Sequence, residues 1–181
     1  LKSELPARWD GSPRFPKRFI KPILVAYTQQ ERAIHQLLQQ YSQERVTHAA
    51  NDPTELYATE FVLKLLKKRL FSSPEAFFTT LKQHQESLAQ VRRHVSVTRR
   101  PGVGILRGKV EQLDEEHDND ESLDEATNAA LEVAAPLFRE PTALEQQLLT
   151  QMHAWADDAR HHADSKARQL IDWLHSTLKP A

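Results

Sequence analysis

The sequence predicts a mainly α-helical fold: a helical bundle with one long C-terminal helix and an extended N-terminal arm. Three observations carry this. Gly is rare, 4 in 181 residues, while Leu, Ala, Gln and Glu are common, a balance that favours helix over sheet. Helix-start signatures recur at Thr28 with Glu31, Asp52-Pro53, Ser73-Pro74 and Thr142 with Glu145. Behind each start, apolar residues return at helical spacing.

The elements follow in order. Residues 1–28 hold Pro6, Pro13, Pro16 and Pro22. Proline lacks a backbone donor, so this stretch reads as an extended arm. Ile23, Val25 and Tyr27 alternate as in a short strand, but such a strand would lack a partner. Residues 29–98 form a helical region. Thr28 and Glu31 open a helix from Gln29 to about Arg45, with Ile34, Leu37, Leu38 and Tyr41 on its apolar face. Leu56, Phe61, Leu63, Leu66 and Leu70 band a second helix over 54–71, and Phe77, Phe78, Leu81, Leu88, Val91 and Val95 a third over 74–95. Residues 99–121 read as a loop and an acidic connector, expected to be mobile. Three of the four glycines and Pro101 fall between Arg99 and Gly108, and nine of the fifteen residues in 111–125 are acidic. In the C-terminal helical region, 122–181, a short helix is closed by Pro136. The last helix, opened by Thr142 and Glu145, is expected to run unbroken to about Thr177, roughly 35 residues or ~53 Å. Its apolar line of Leu144, Leu148, Met152, Trp155, Leu170, Trp173 and Leu174 is expected to dock on the second and third helices.

Composition narrows the function. With no Cys, disulfides and thiolate metal sites are excluded. That absence fits a reducing compartment, so a cytoplasmic location is expected. No apolar run approaches the roughly 18 residues of a membrane span, so no membrane partner is expected. Polar residues with Pro6 and Pro13 at the start do not form a signal peptide. The net charge of −1 hides a division. Residues 1–109 carry 19 Lys and Arg against 9 Asp and Glu, and residues 110–181 carry 5 against 16. An anionic partner for the first half, pairing of the two halves, and two solvated surfaces of opposite sign all fit this asymmetry.

No complete catalytic set is legible. Gly102 to Lys109 superficially resembles a phosphate loop, but a Walker A loop needs four residues between its glycines and a hydroxyl after its lysine, where Val110 stands. His153, Asp157 and His161 lie four apart and would share a helix face, a possible metal geometry that matches no known zinc signature and reads better as a solvated surface. The basic runs carry the candidate site: Lys64, Lys67, Lys68 and Arg69 on about one turn, and Arg92, Arg93, Arg99 and Arg100 where the third helix gives way to the loop. Such clusters suit a phosphate backbone, with duplex DNA as the partner. The alternative is a solubilising rim, or pairing with the acidic connector.

Two stretches resemble SNF2-type bacterial helicases. Pro16-Lys-Arg-Phe-Ile-Lys-Pro-Ile-Leu-Val-Ala-Tyr-Thr-Gln-Gln-Glu-Arg-Ala-Ile-His resembles the exit from the first motor lobe. Asp164-Ser-Lys-Ala-Arg-Gln-Leu-Ile-Asp-Trp-Leu resembles the helix that precedes the second lobe's first strand. Between them, Leu65-Leu-Lys-Lys-Arg-Leu-Phe-Ser-Ser-Pro-Glu-Ala-Phe is similar to a helical stretch of large bacterial members, nearest to the SNF2-like helicases of the DISARM anti-phage defence system. The resemblance implies a non-catalytic helical segment between two RecA-like lobes of a DNA-dependent ATPase. The family's nucleotide-binding lysine, acidic magnesium box and arginine finger have no counterpart here. ATP and magnesium would therefore belong to the flanking lobes, and no cofactor to this segment. The competing expectation is an independent helical interaction domain, an adaptor.

Overall fold

The computed structural model describes residues 8–9, 19–93, 102–114 and 120–178. Among them are seven α-helices and no strand: α1 (Gln29–Ala49), α2 (Pro53–Ser72), α3 (Pro74–Arg93), α4 (Val103–Asp114), α5 (Asp120–Ala134), α6 (Ala143–Ala159) and α7 (Ser165–Leu178). A single 3-10 turn, Ala135–Leu137, follows α5 at Pro136. Ile23, Val25 and Tyr27 lie in non-helical backbone outside any strand.

The four start signals work as chemistry predicts. Thr28 and Glu31 form a complete capping box on α1, and Thr142 and Glu145 do the same on α6. Asp52 Oδ1 accepts from the amides of Thr54 and Glu55, with Pro53 fixing the first helical residue of α2. Ser73 Oγ accepts from Ala76 N at the start of α3.

One core joins α1, α2, α3, α5 and α6, with Leu106 of α4 added to it. Ile34, Leu38 and Tyr41 meet Ala58, Val62 and Leu66, then Phe77, Leu81, Leu131, Leu137, Leu148, Met152 and Ala156. The apolar bands of the first two helices face the core but differ in depth, and Val91 and Val95 of the third have side chains outside the described residues. Leu66 and Leu70 are buried, whereas Leu56, Phe61 and Leu63 are half-buried.

Three expectations differ from the structure. The last helix is two helices. α6 ends at Arg160, residues 161–164 form a turn, and Asp164 starts α7 by accepting from Ala167 N through its side chain. Arg160 is pulled sideways, its guanidinium 4.1 Å from the Phe78 ring centroid and 3.7 Å from Glu75. α6 packs on α3 and α1, not on α2. The stretch expected as loop and connector is helical over 103–114 because Leu106 finds a fully buried site. Gly104 and Gly108 merely ride on its open side, where an added Cβ would meet nothing. The expected mobile connector falls partly at 115–119, outside the described residues.

Candidate functional site

α2 divides its cations between two faces. Its buried line is Ala58, Val62, Leu66 and Leu70. At 100° per residue, Lys64, Lys67 and Lys68 fall opposite that line, and all three are exposed. None of them has an ion pair among the described residues. Arg69 falls on the buried side instead. Its Nη2 donates to Asp124 Oδ1 at 2.8 Å and to Thr127 Oγ1 at 3.0 Å, fastening α2 to α5. Arg69 therefore belongs to the fold rather than to a surface patch. Arg92 and Arg93 end α3, with side chains outside the described residues, and Arg99 and Arg100 lie outside them entirely. Two further cations, on α4, are engaged locally: Arg107 lies over the Tyr57 ring at 5.3 Å and Lys109 donates to Gln112. Of the sequence cluster, the described side chains thus place three lysines in one exposed stripe over about one turn of α2.

A joint that the sequence does not announce lies beside that stripe. The Glu31 carboxylate accepts from Thr28 N (2.7 Å) and Thr28 Oγ1 (2.8 Å) at the start of α1. It also accepts from Ser165 N (2.8 Å) and Ser165 Oγ (2.5 Å) at the start of α7. Burial would raise this carboxyl, but the hydrogen bonds from Ser165 and Thr28 outweigh it and hold the pKa at about 2. Lys166 Nζ donates to the carbonyls of Phe71 and Ser72, the last of α2, where an ammonium offsets the helix dipole. His35 sits between Tyr27 and Phe71, 5.8 and 4.8 Å between ring centroids. Burial lowers its pKa, Glu31 works against that, and Lys67 and Lys166 add to it. Glu31 is recognisable in sequence as half of a capping box; its second role, 134 residues away, is not.

The buried charges are structural. Arg45 Nη1 donates to Glu145 Oε2 at 3.3 Å, with both side chains at most 2% exposed. His48 Nδ1 lies 3.2 Å from the other Glu145 oxygen, and Glu55 faces Arg45 at 3.9 Å and Arg139 at 3.5 Å. Arg45 also lies 4.8 Å over the Phe138 ring. Next to this knot, Tyr41 Oη and His84 Nε2 are 3.0 Å apart. Burial raises the Tyr41 pKa, against Arg45 and with Glu145, and lowers that of His84 to about 3, with Arg45 adding to the shift. Both side chains are closed to solvent, and their contact joins α1 to α3.

His153 leans on the Phe78 ring instead of sharing a ligand set with Asp157 and His161. Among the described residues no three His, Asp or Glu side chains stand close enough to hold a metal ion. Among the described residues no helix is long and apolar enough to cross a membrane. Gly102 to Lys109, the weak phosphate-loop resemblance, is largely the body of α4. Two crevices flank the turn between α6 and α7, of about 330 and 350 Å³, and Pro74, His162, Ala163 and Asp164 line both.

No protein-family model matches the chain, and no curated protein or solved structure is significantly similar to it.

Proposed function

We propose that this chain is a non-catalytic helical linker of an SNF2-type, DNA-dependent ATPase, inserted between its two RecA-like lobes. The observation that supports it best is the Glu31 joint. It ties the start of α1 to the start of α7 at one corner of the bundle, where a preceding lobe would attach, while a following lobe would attach at the far end of α7, about 21 Å away. Apolar surface lies on both sides of that corner. Phe19, Ile20 and Leu24 are more than 80% exposed before it, and Leu170, Ile171 and Leu178 are exposed after it. Large apolar side chains exposed in this way suit contact with another protein surface. The flanking lobes are the proposed partners, bringing ATP and magnesium with them, in the cytoplasm.

Duplex DNA is the second proposed partner, touched by Lys64, Lys67 and Lys68 from the open face of α2. Phosphate contact alone would carry no sequence preference. With about three phosphates engaged, log affinity should fall with log salt at a slope of about −2.7. Reading the complete open reading frame tests the helicase assignment, because motor motifs must lie on both sides of this segment. A frame without them overturns it. The exposed apolar side chains of α7 equally support the second reading, an independent adaptor domain, which would bind its partner with no motor nearby.

A further inference from the structure

We propose that α7 is a lever. Glu31 and Lys166 clamp its root, and when the clamp opens it swings about the turn at residues 161–164. This holds whatever flanks the chain, because it rests only on how α7 is held.

α7 is attached by its first two residues. Ser165 gives both its amide and its hydroxyl to Glu31, and Lys166 reaches across to the last carbonyls of α2. Beyond Lys166 no other helix packs against α7 among the described residues. Its apolar side leaves Leu170, Ile171, Trp173 and Leu178 exposed over the remaining three turns, with Leu174 half-buried among them. A rigid helix of 14 residues, about 21 Å long, is thus directed by a few polar contacts at one end.

The neighbouring parts differ in firmness. The body side is fixed: Arg160 pairs with Asp157 and Glu75 and covers the Phe78 ring. The α7 side is equally defined, since Asp164 caps the helix through Ala167 N. His161, His162 and Ala163, between them, are exposed. A short exposed turn between two fixed ends is where a backbone rotation is absorbed. Two crevices adjoin this turn, and the first turns of α7 line both of them, with Arg168 in one and Ala167 and Leu170 in the other.

Glu31 makes the clamp informative rather than merely adhesive. One carboxylate completes the α1 capping box and holds Ser165, so the direction of α7 is tied to the residue that starts α1. A pull on the extended segment before Thr28 would reach α7 through that single group.

The absence of cysteine permits a direct test. Paired labels are placed by His175→Cys on α7 and Gln39→Cys on α1, both exposed, and their separation is read by double electron–electron resonance. The parent pair should give one narrow distance distribution. Glu31→Ala, and separately Ser165→Ala with Lys166→Ala, should broaden it and move its centre, while circular dichroism keeps its helical amplitude. The second variant leaves the α1 capping box intact, and Thr28→Ala damages that box while leaving Ser165 on Glu31. If Thr28→Ala alone broadens the distribution, fraying of α1 is responsible and the clamp is refuted. A parent distribution that is already broad, or clamp variants as narrow as the parent, would also overturn it.

Discussion

α6 and α7 are built from one kind of sequence and live in different surroundings. Each opens with a polar cap and carries Leu and Trp at helical spacing. α6 is closed in by α1 and α3, with Leu148, Leu149, Met152 and Ala156 buried and Trp155 edge-on to Phe77 at 6.4 Å. α7 leaves Leu170, Ile171 and Trp173 between 36% and 49% exposed. Amphipathic spacing reports that a helix has a face to cover; it does not report whether this chain supplies the cover. That difference makes α6 part of the stability of the bundle and leaves the apolar side of α7 open.

The contrast can be broken or sharpened by substitution. The largest effect is expected from Glu145→Ala, which leaves the Arg45 guanidinium buried without its nearest carboxylate. Chemical denaturation should show a loss of about 3–5 kcal/mol. Met152→Ala should follow, at about 3 kcal/mol, through the cavity it opens in a fully enclosed site. Trp155→Ala should cost less, about 2 kcal/mol, because the ring is only half-buried. A value near zero for either would mean that α6 is not packed as described.

Acid offers a subtler discrimination. His84 has a folded pKa of about 3 against an ordinary value of 6.5, so the unfolded chain binds its proton first. Stability is therefore lost as pH falls from 6.5 towards 3, by about 1–2 kcal/mol between pH 6.5 and 5. His84→Gln, which can still meet the Tyr41 hydroxyl, should flatten that part of the profile. An unchanged slope would place the buried proton acceptor elsewhere. The smallest effect is expected from Leu170→Ala and Trp173→Ala in α7, each within about 0.5 kcal/mol. A loss above about 1.5 kcal/mol in either would show that α7 is covered in this chain after all.

Local chemistry made the helix starts legible. Thr28 with Glu31, Asp52-Pro53 and Thr142 with Glu145 need only neighbours in sequence to act, and each caps its helix in the structure. The break at residues 161–164 was less legible, because nothing there forbids helix. Asp164 could be a solvated helical residue or a cap, and only the pull of Phe78 and Glu75 on Arg160 and of Glu31 on Ser165 decides. Three glycines suggested a loop at 102–108, but only Gly104 and Gly108 lie within α4, and the burial of Leu106 offsets their cost of roughly 1 kcal/mol each. The basic cluster was legible in composition and not in direction. A shift of one residue from Lys68 to Arg69 turns a side chain from solvent to Asp124, a consequence of the 100° step.

The Arg45–Glu145 contact has a consequence for the order in which the molecule assembles. Glu145 caps the first turn of α6 through Thr142 N and closes on Arg45 across 100 residues of chain. The cap can form as soon as its own turn is made, whereas the ion pair must wait until a loop of that length has closed. Until then the carboxylate stays hydrated and the α6 surface is held by local forces alone. When α1 arrives, one group converts a local decision into a global one. Nucleation should therefore lie in the neighbouring pair α2 and α3, and the docking of α6 onto α1 should come late, on the native side of the folding barrier.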